Sequence, residues 1–143
     1  MTKRILFACV GNAFRSQIAE AWARHLAEPG SIEVRSGGTA PASAVHARLG
    51  ILLREKGIAV EGARPKPIDL EFAEQADFFI TLCGPLDAAC PARIARKAVD
   101  WNVDDPSWSS EGEMRRVRDL IGGRVLQLLK RLDVAREGAE DDL

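Results

Sequence analysis

The sequence predicts a three-layer α/β protein, in which helices cover both faces of a four-stranded parallel sheet. Three observations favour this class. Apolar runs of strand length recur along the chain, segments with apolar residues at helical spacing lie between them, and glycine or proline separates many of these segments. Strands that alternate with helices form parallel sheets, whose ligands bind beyond the carboxyl ends of the strands.

The first unit of the chain is a strand, a tight loop and a helix. An apolar run over residues 5–10 predicts a buried strand, residues 11–15 form the loop, and a helix begins at Ser16. The apolar face of this helix holds Ile18, Ala19, Trp22 and Leu26. The strand therefore ends where small and polar residues begin.

The remaining elements continue this alternation. In chain order they are a strand over 32–36, a helix over 42–56, a short helix that Asp69 caps and that ends at Gln75, a strand over 77–83, a short strand within 98–103 and a long helix over 111–132. Two adjacent glycines, Gly122 and Gly123, are expected to bend the long helix. Both histidines, His25 and His46, are predicted on helices in surface or packing roles.

Length and composition indicate one domain over residues 1–132, followed by an acidic tail over 133–143 that is expected to be flexible. The 143 residues are 46% hydrophobic and 29% charged, with a formal net charge of −1. This charge argues against general nucleic-acid binding, and no apolar run is long enough to span a membrane. We therefore expect a cytoplasmic protein, whose three cysteines serve redox, catalytic or packing roles rather than a disulfide framework.

Cys9 and Arg15 are separated by five residues across the first loop. In a strand-loop-helix unit, loop N–H groups and the start of the helix converge on one point and form a cradle for a tetrahedral anion. Arg15 can close this cradle with two parallel donors. Cys9 would lie at its base, where these positive groups favour the thiolate, the nucleophilic form of cysteine.

The other loop residues support this cradle. Its backbone comes from Val10, Gly11, Ala13 and Phe14, of which Phe14 is bulky and is expected to narrow the mouth. Ser16 can hydrogen-bond the sulfur or cap the helix, and Asn12 can brace the loop. The spacing alone is weak evidence, and the alternative is an inert buried cysteine beside a surface arginine.

Residues 9–22, CVGNAFRSQIAEAW, resemble the phosphate loop of the low-molecular-weight protein tyrosine phosphatase superfamily. They are more similar to its thioredoxin-coupled arsenate reductase branch, in which N-x-x-R-S-Q-x-A-E is typical. The resemblance implies the fold of that superfamily, a nucleophilic role for Cys9, and an oxyanion ligand such as arsenate, phosphate or sulfate.

A second segment, TLCGPLDAACP, carries Cys83 and Cys90 with six residues between them. It resembles the same branch, in which a strand ending in T-L-C leads into a mobile segment with a second redox cysteine. The resemblance implies a relay in which Cys83 attacks Cys9, Cys90 attacks Cys83, and thioredoxin reduces the final disulfide. Two alternatives are small core cysteines and a zinc site, but the spacing is long for zinc and we expect no metal.

A third motif, Asp-Asp-Pro, offers an acid that could protonate the oxygen leaving the anion. The superfamily carries its general acid in the aspartate directly before proline, which implies Asp105 and leaves Asp104 as its neighbour. The alternative is a simple Asp-Pro turn. Phosphatases of the superfamily usually follow this motif with tyrosines that flank an aromatic substrate, whereas this chain has no tyrosine and carries Ser107 and Trp108 there.

A cation site is a further implication of the resemblance. In some arsenate reductases a potassium ion near the loop is held by residues that correspond to Asn12, Glu20 and Ser36, together with an aspartate whose place falls near Lys66. An ammonium there could substitute for the ion. We therefore expect no bound cofactor.

Three functions stay open at this point. The resemblance favours reduction of arsenate to arsenite, with thioredoxin or another thiol system as reductant. A phosphatase acting on protein or small phosphoesters would need only Cys9, Arg15 and Asp105. A non-enzymatic redox sensor would use the cysteines to change a partner surface.

Overall fold

The computed structural model describes residues 2–84 and 90–143 and contains the predicted parallel sheet. Its four strands are β1 (Lys3–Cys9), β2 (Ile32–Gly38), β3 (Phe78–Thr81) and β4 (Ala98–Asp100). They run parallel in the order β2-β1-β3-β4. The predicted fold class is therefore confirmed.

Helices cover both faces of this sheet. The α-helices of the described residues are α1 (Arg15–Leu26), α2 (Leu49–Arg54), α3 (Leu70–Gln75), α4 (Ala92–Ala95) and α5 (Glu111–Arg131), and a short 3₁₀ helix covers Ala139–Asp142. Residues of α1, α2 and α5 share one core with one face of the sheet, and residues of α3 and α4 share a second core with the other face. The two edge strands of the sheet are β2 and β4.

Side chains of β1 alternate between these two cores, because successive residues of a strand point to opposite faces. Ile5, Phe7 and Cys9 belong to the core beneath α1 and α5, whereas Leu6 and Ala8 belong to the core beneath α3 and α4. All five are at most 3% exposed. Cys9 thus ends the buried part of β1, on the α1 side of the sheet.

The carboxyl end of β1 lies at the point where strand order reverses, with β2 on one side and β3 on the other. In the register of the sheet Cys9 is opposite Gly38, and Ala8 is opposite Thr81. Open parallel sheets bind ligands at this switch point. The structure therefore positions the loop after Cys9 where the fold favours a ligand.

The second predicted helix is much shorter than expected, because it begins at Leu49 rather than at residue 42. The preceding residues are used elsewhere. The N–H groups of Ala40, Ala42 and His46 donate to carbonyl oxygens of the loop after β1. His46 consequently lies outside any helix, contrary to the prediction.

The last helix, α5, runs without interruption past Gly122 and Gly123, the two glycines at which a bend was expected. Gly122 has a packing reason instead. A Cβ at this position would lie 2.8 Å from Trp22 Cε2 and 2.9 Å from Leu143 Cδ2. The missing side chain is what allows α5 to approach the buried Trp22 ring.

The acidic tail over residues 133–143 packs against the domain. The Arg136 N–H donates to Leu26 O at 2.8 Å, and its Nε donates to His25 O at 2.9 Å. The Asp142 carboxylate pairs with both His25 and Arg136, and Ala139 is fully buried. The sequence pattern alone did not reveal these partners, which lie more than a hundred residues earlier.

The strands predicted over 77–83 and 98–103 are shorter in the structure, yet their backbone pairing continues beyond the strand ends. The Trp101 N–H donates to Thr81 O at 2.8 Å, and the Val103 N–H donates to Leu82 O at 3.0 Å. This pairing carries two loops, one after each strand, to the same edge of the sheet. Within residues 2–84 and 90–143, no helix is long and apolar enough to cross a membrane.

We expect Gly122→Ala to lower the free energy of unfolding by about 1–3 kcal/mol, because overpacking against a fixed ring outweighs the better helix propensity of alanine. Trp22 cannot easily yield, since it is fully buried and its Nε1 donates to Arg118 O at 3.0 Å. Gly123→Ala is the matched control: no atom lies within 4 Å of the added Cβ. It should stabilise the protein by about 0.5–1 kcal/mol in the same denaturant titration. Equal effects of the two substitutions would contradict the packing explanation.

Candidate active site

The loop over residues 9–15, called the anion loop below, directs its carbonyl oxygens outward. These oxygens accept hydrogen bonds of 2.9–3.2 Å from the following segment, in the pairs Thr39 N–H to Cys9 O, Ala40 N–H to Val10 O, Ala42 N–H to Gly11 O and His46 N–H to Ala13 O. In a planar trans peptide the N–H points opposite to the carbonyl. The N–H groups of the same peptides are therefore directed to the inner side of the loop.

The sulfur of Cys9 lies on that inner side. The Asn12 N–H donates to Cys9 Sγ at 3.2 Å, and Ser16 Oγ lies 2.9 Å from the same sulfur. Cys9 is 3% exposed, and α1 has no side-chain cap at its start. Of the two roles considered for Ser16, the structure shows the hydrogen bond to sulfur.

Asn12 braces the anion loop from inside the protein. Its φ of 50° is a left-handed conformation that asparagine adopts more readily than most residues, and its side chain is fully buried. The amide Nδ2 donates to Ser16 Oγ at 2.7 Å and to Ser36 Oγ at 3.0 Å. Its Oδ1 accepts from Gln17 Nε2 at 3.2 Å and from the Lys66 N–H at 3.1 Å. Both ends of this amide are therefore satisfied, which holds the loop in one conformation.

Arg15 begins α1 with its guanidinium directed across the carboxyl ends of β3 and β4. Nη1 donates to Val103 O at 2.9 Å and to Leu82 O at 3.3 Å, while Nη2 lies 3.7 Å from Asp105 Oδ2. The arginine side chain is 13% exposed. Two backbone carbonyls thus orient the planar fork, and among the described residues Asp105 is the acid paired with it.

Asp105 lies on the loop after β4, with its side chain about half exposed. Its Oδ1 accepts from the Ser107 N–H at 3.0 Å and from Ser107 Oγ at 2.6 Å. Partial burial alone would raise the pKa of Asp105, but these hydrogen bonds, the charge of Arg15 and the proximity of His46 hold it below its usual value. Asp105 is therefore ionised in the free protein near neutral pH. To act as an acid it must gain a proton when an anion binds, since a neighbouring negative charge raises a carboxyl pKa.

His46 joins the anion loop to the Asp105 loop, a role that the sequence did not suggest. Its ring contacts Phe14 edge-on, with 5.1 Å between centroids, and its Nε2 lies 2.9 Å from Ser107 O. Phe14 is only 3% exposed, so it packs inward against His46 and does not shield the mouth of the cradle as expected. Only a long-range contact brings these residues together, and no local pattern signals it.

Cys83 lies two residues beyond β3, next to the carboxyl end of β1. It is half-buried, and its surroundings raise the pKa of the thiol. Burial contributes most and the negative charge of Cys9 comes next, whereas Arg15 opposes them and Asp100 adds a smaller rise. The Cys9 charge can act on Cys83 because the two strand ends are neighbours. The structure therefore brings Cys83 to the same edge of the sheet as Cys9.

Cys90 lies on the other side of the sheet. It is 4% exposed within the core beneath α3 and α4, among Leu6, Phe72, Phe79 and Ile94. Cys9 belongs to the opposite core, which Cys83 also contacts. The third cysteine is therefore not assembled with the other two, and residues 85–89 between Cys83 and Cys90 lie outside the described part of the chain. Cys9 and Cys83 are free thiols.

The residues proposed for a cation site surround Lys66. Its Nζ lies 3.1 Å from Ser36 Oγ and 3.5 Å from Glu20 Oε1. The nearly buried Glu20 also pairs with Arg24 at 2.6 Å and accepts a short hydrogen bond from Ser36. Asn12 directs its amide donor, not its oxygen, to Ser36. These residues do not fit a potassium ion, because an ammonium already contacts the oxygens that would bind it.

Metal ligands are not clustered anywhere in the part of the chain that the structure describes: no group of three or more His, Cys, Asp or Glu side chains could hold an ion. Two apolar side chains near the candidate site are exposed. Val10 in the anion loop is 49% exposed, and Trp108 in the loop of Asp105 is 98% exposed. The mouth of the site is thus bordered by apolar surface.

The chain belongs to the low molecular weight phosphotyrosine protein phosphatase family, whose sequence profile matches residues 4–138. Within this family it is similar to proteins named arsenate reductase. One from Brevibacillus brevis is 35% identical over 128 residues, which cover 86% of this chain and 91% of that protein. The resemblance inferred from the sequence is confirmed.

Solved structures of arsenate reductases are also similar to this chain. A thioredoxin-dependent arsenate reductase of Corynebacterium glutamicum is 33% identical with a TM-score of 0.76, over 92% of this chain and 62% of that longer protein. This chain thus spans somewhat less than two thirds of its length. An arsenate reductase in a phosphate-binding state is 32% identical with a TM-score of 0.80, over 91% of this chain and 98% of the other.

We expect the alkylation rate of Cys83 to rise with a midpoint above the usual pKa of a cysteine thiol, because only the thiolate reacts. The measurement uses the Cys90→Ser variant and follows modification of Cys83 by mass spectrometry against pH. Adding Cys9→Ser should move the midpoint to lower pH, because it removes a negative charge next to Cys83. A midpoint that Cys9→Ser leaves unchanged would mean that the two cysteines do not interact.

Proposed function

We propose that this protein is an arsenate reductase that thioredoxin returns to its reduced state. The observation that carries the proposal is the pair of thiols at one edge of the sheet: Cys9 inside a cradle of donors, and Cys83 just beyond the neighbouring strand, against the same core. A phosphatase needs only the first thiol. The names of the relatives support the same activity.

Arsenate matches the cradle in shape and charge. It is a tetrahedral oxyanion like phosphate, so inward N–H groups of the anion loop and the guanidinium of Arg15 can bind its oxygens together. The contacts of Arg15 Nη1 with two backbone carbonyls leave Nη2 and Nε for the anion. Binding is expected to draw Arg15 away from Asp105, which favours a proton on that carboxyl.

In the first chemical step, the Cys9 thiolate attacks arsenic. A sulfur–arsenic bond forms as an arsenic–oxygen bond breaks, and the departing hydroxyl takes a proton from Asp105 and leaves as water. Hydrogen bonds from Ser16 and from the Asn12 N–H hold the sulfur in place for this attack. Arg15 and the loop amides stabilise the charge that develops on the arsenic oxygens.

In the second step, the Cys83 thiolate attacks the sulfur of Cys9. The sulfur–sulfur bond forms, the sulfur–arsenic bond breaks, and its electron pair stays with arsenic, which is reduced from the pentavalent to the trivalent state and leaves as arsenite. Of the groups around Cys83, the positive charge of Arg15 lowers the pKa of its thiol and so favours the thiolate that this step needs.

In the third step, Cys90 attacks Cys83, which frees Cys9 and leaves a Cys83–Cys90 disulfide. This step needs a rearrangement, because Cys90 is buried beneath α3 and α4 while Cys83 contacts the opposite core. Exposure of the new disulfide would allow the dithiol of thioredoxin to reduce it by exchange. Free thiols and this partner both suit the cytoplasmic location that we propose.

A phosphatase is the second candidate, and the family itself favours it. Cys9, Arg15 and Asp105 are arranged as phosphoester hydrolysis would need them, and the cradle suits phosphate as well as arsenate because both are tetrahedral oxyanions. The two extra cysteines and the missing tyrosines argue for the reductase. We therefore expect phosphatase activity as a weak side reaction.

The decisive measurement is NADPH consumption with thioredoxin and thioredoxin reductase after arsenate is added to the reduced protein. We expect sustained turnover by the wild type and at most one turnover by Cys90→Ser, which should accumulate a Cys9–Cys83 disulfide. Mass spectrometry after blocking free thiols identifies the disulfide. The relay would be wrong if Cys90→Ser turned over repeatedly.

Hydrolysis of an aryl phosphate, measured in parallel, separates the two candidates. Hydrolysis that depends on Cys9 but not on Cys83, without arsenate turnover, would favour the phosphatase. If neither reaction occurred while the disulfide still formed, a redox sensor would be the better explanation. Cys83→Ser is the matched variant, because it leaves the cradle intact and removes only the second thiol.

We also propose that the Lys66 ammonium takes the place of a potassium ion beneath the anion loop. Its contacts with Ser36 and Glu20 support this, since Ser36 also accepts a hydrogen bond from the loop brace Asn12. A lysine ammonium held by these contacts makes an external cation unnecessary. The protein should therefore not depend on the choice of alkali salt.

Phosphate affinity of the wild type should be equal in sodium and potassium salts at matched ionic strength. Lys66→Met should weaken it by up to about fivefold, because a partly exposed ion pair contributes up to about 1 kcal/mol. Lys130→Met, which removes a surface pair with Glu140, is the control and should change nothing. A specific gain in affinity with potassium in the wild type would refute the substitution.

A further inference from the structure

We infer that His46 is a positioning residue that holds the Asp105 loop against the anion loop, so that the acid faces the bound oxyanion. The inference rests on the proposed function, in which Asp105 is the proton donor. His46 touches neither the sulfur nor the acid in the described contacts. It acts through the two loops that carry them.

On one side, His46 is fixed to the anion loop by backbone and by ring. Its N–H donates to Ala13 O at 2.9 Å. Its imidazole contacts the edge of Phe14, with ring centroids 5.1 Å apart and planes inclined by 63°. Phe14 is 3% exposed and directly precedes Arg15, so this contact packs His46 against the residue next to the anion-binding arginine.

On the other side, His46 binds the backbone of the loop that carries Asp105, residues 101–107, called the acid loop below. Its Nδ1 accepts a hydrogen bond of 3.1 Å from the Arg48 N–H, which leaves the ring proton on Nε2. Nε2 therefore donates to Ser107 O, 2.9 Å away. Ser107 in turn donates to Asp105 Oδ1 through both its N–H and its Oγ. Ser107 is thus the one residue that links the imidazole of His46 to the carboxyl of Asp105.

Backbone hydrogen bonds from Trp101 and Val103 hold the start of this loop to residues 81 and 82, but they do not reach Asp105 itself. Residues 101–106 have no regular secondary structure, and the Asp105 side chain is about half exposed. Its pairing with Arg15 is 3.7 Å long, beyond the length of a good hydrogen bond. A catalytic group must be held to within about 0.5 Å of its working geometry. The His46–Ser107 bond supplies a restraint that joins the acid to the anion loop.

If the His46 ring only filled space, its packing against Phe14 would matter but its Nε2 would not. His46→Phe separates these roles, since it keeps an aromatic ring beside Phe14 and removes the bond to Ser107. His46→Gln is the conservative variant, since its amide nitrogen can donate to Ser107 O from a similar position. His25→Phe is the matched control, because the other histidine of this chain pairs with Asp142 in the C-terminal segment.

The experiment follows the maximum rate of arsenate-driven Cys9–Cys83 disulfide formation in Cys90→Ser protein, together with the dissociation constant of inorganic phosphate. We expect Asp105→Asn to lower the rate by about 100-fold and His46→Phe by about tenfold, both with phosphate binding within about twofold of wild type. His46→Gln should recover most of the rate, and His25→Phe should match the wild type. His46→Phe should have no further effect when Asp105→Asn is already present.

Each other outcome overturns a defined part of the argument. A wild-type rate in His46→Phe, or a loss that adds fully to that of Asp105→Asn, would refute the positioning role. Weakened phosphate binding in His46→Phe, in parallel with the rate, would mean that His46 supports the anion loop itself instead. A wild-type rate in Asp105→Asn would refute the acid in the proposed function, and the role of His46 with it.

Discussion

The anion loop can direct N–H groups to one point only because its carbonyl oxygens are paired on the other side. Four backbone N–H groups of the segment from Thr39 to His46 donate to these oxygens, at 2.9–3.2 Å. Unpaired buried carbonyls would cost a large share of the stability of a small domain. The same segment loses the helix that its sequence favours, since α2 begins only at Leu49. N–H groups of this segment thus donate to the anion loop instead of forming a helix of their own.

Beneath the loop, buried polar groups are satisfied through one connected network. Asn12 links Ser16 to Ser36, and Ser36 links onward to Glu20 and Lys66. Within the described residues, every buried side-chain nitrogen or oxygen has a hydrogen-bond partner. Close backbone approach completes this support: a Cβ on Gly38 would lie 2.4 Å from the Val10 carbonyl oxygen. The loop is rigid because several independent contacts determine the same conformation.

The sheet divides the chemistry between its faces. Cys9 and Cys83 lie at the carboxyl ends of neighbouring strands and contact the core under α1 and α5, whereas Cys90 is buried with α3 and α4. A sheet cannot be crossed by a side chain, so any relay through Cys90 must involve movement around its edge. On the other side of the site, His46 joins two irregular loops, the anion loop and the loop that carries Asp105.

Local pattern in the sequence determined the strand-loop-helix unit around Cys9 and Arg15, the parallel sheet and the Asp69 cap, because apolar periodicity and short-range hydrogen bonding act over a few residues. It could not determine long-range partners. The packing of the acidic tail depends on residues a hundred positions away, and so does the reason for Gly122. The link from His46 to the acid loop spans sixty-one residues, and the burial of Cys90 on the far face follows from strand order. Only tertiary structure decides such contacts, because they arise from how separate elements pack and not from the preference of any one of them.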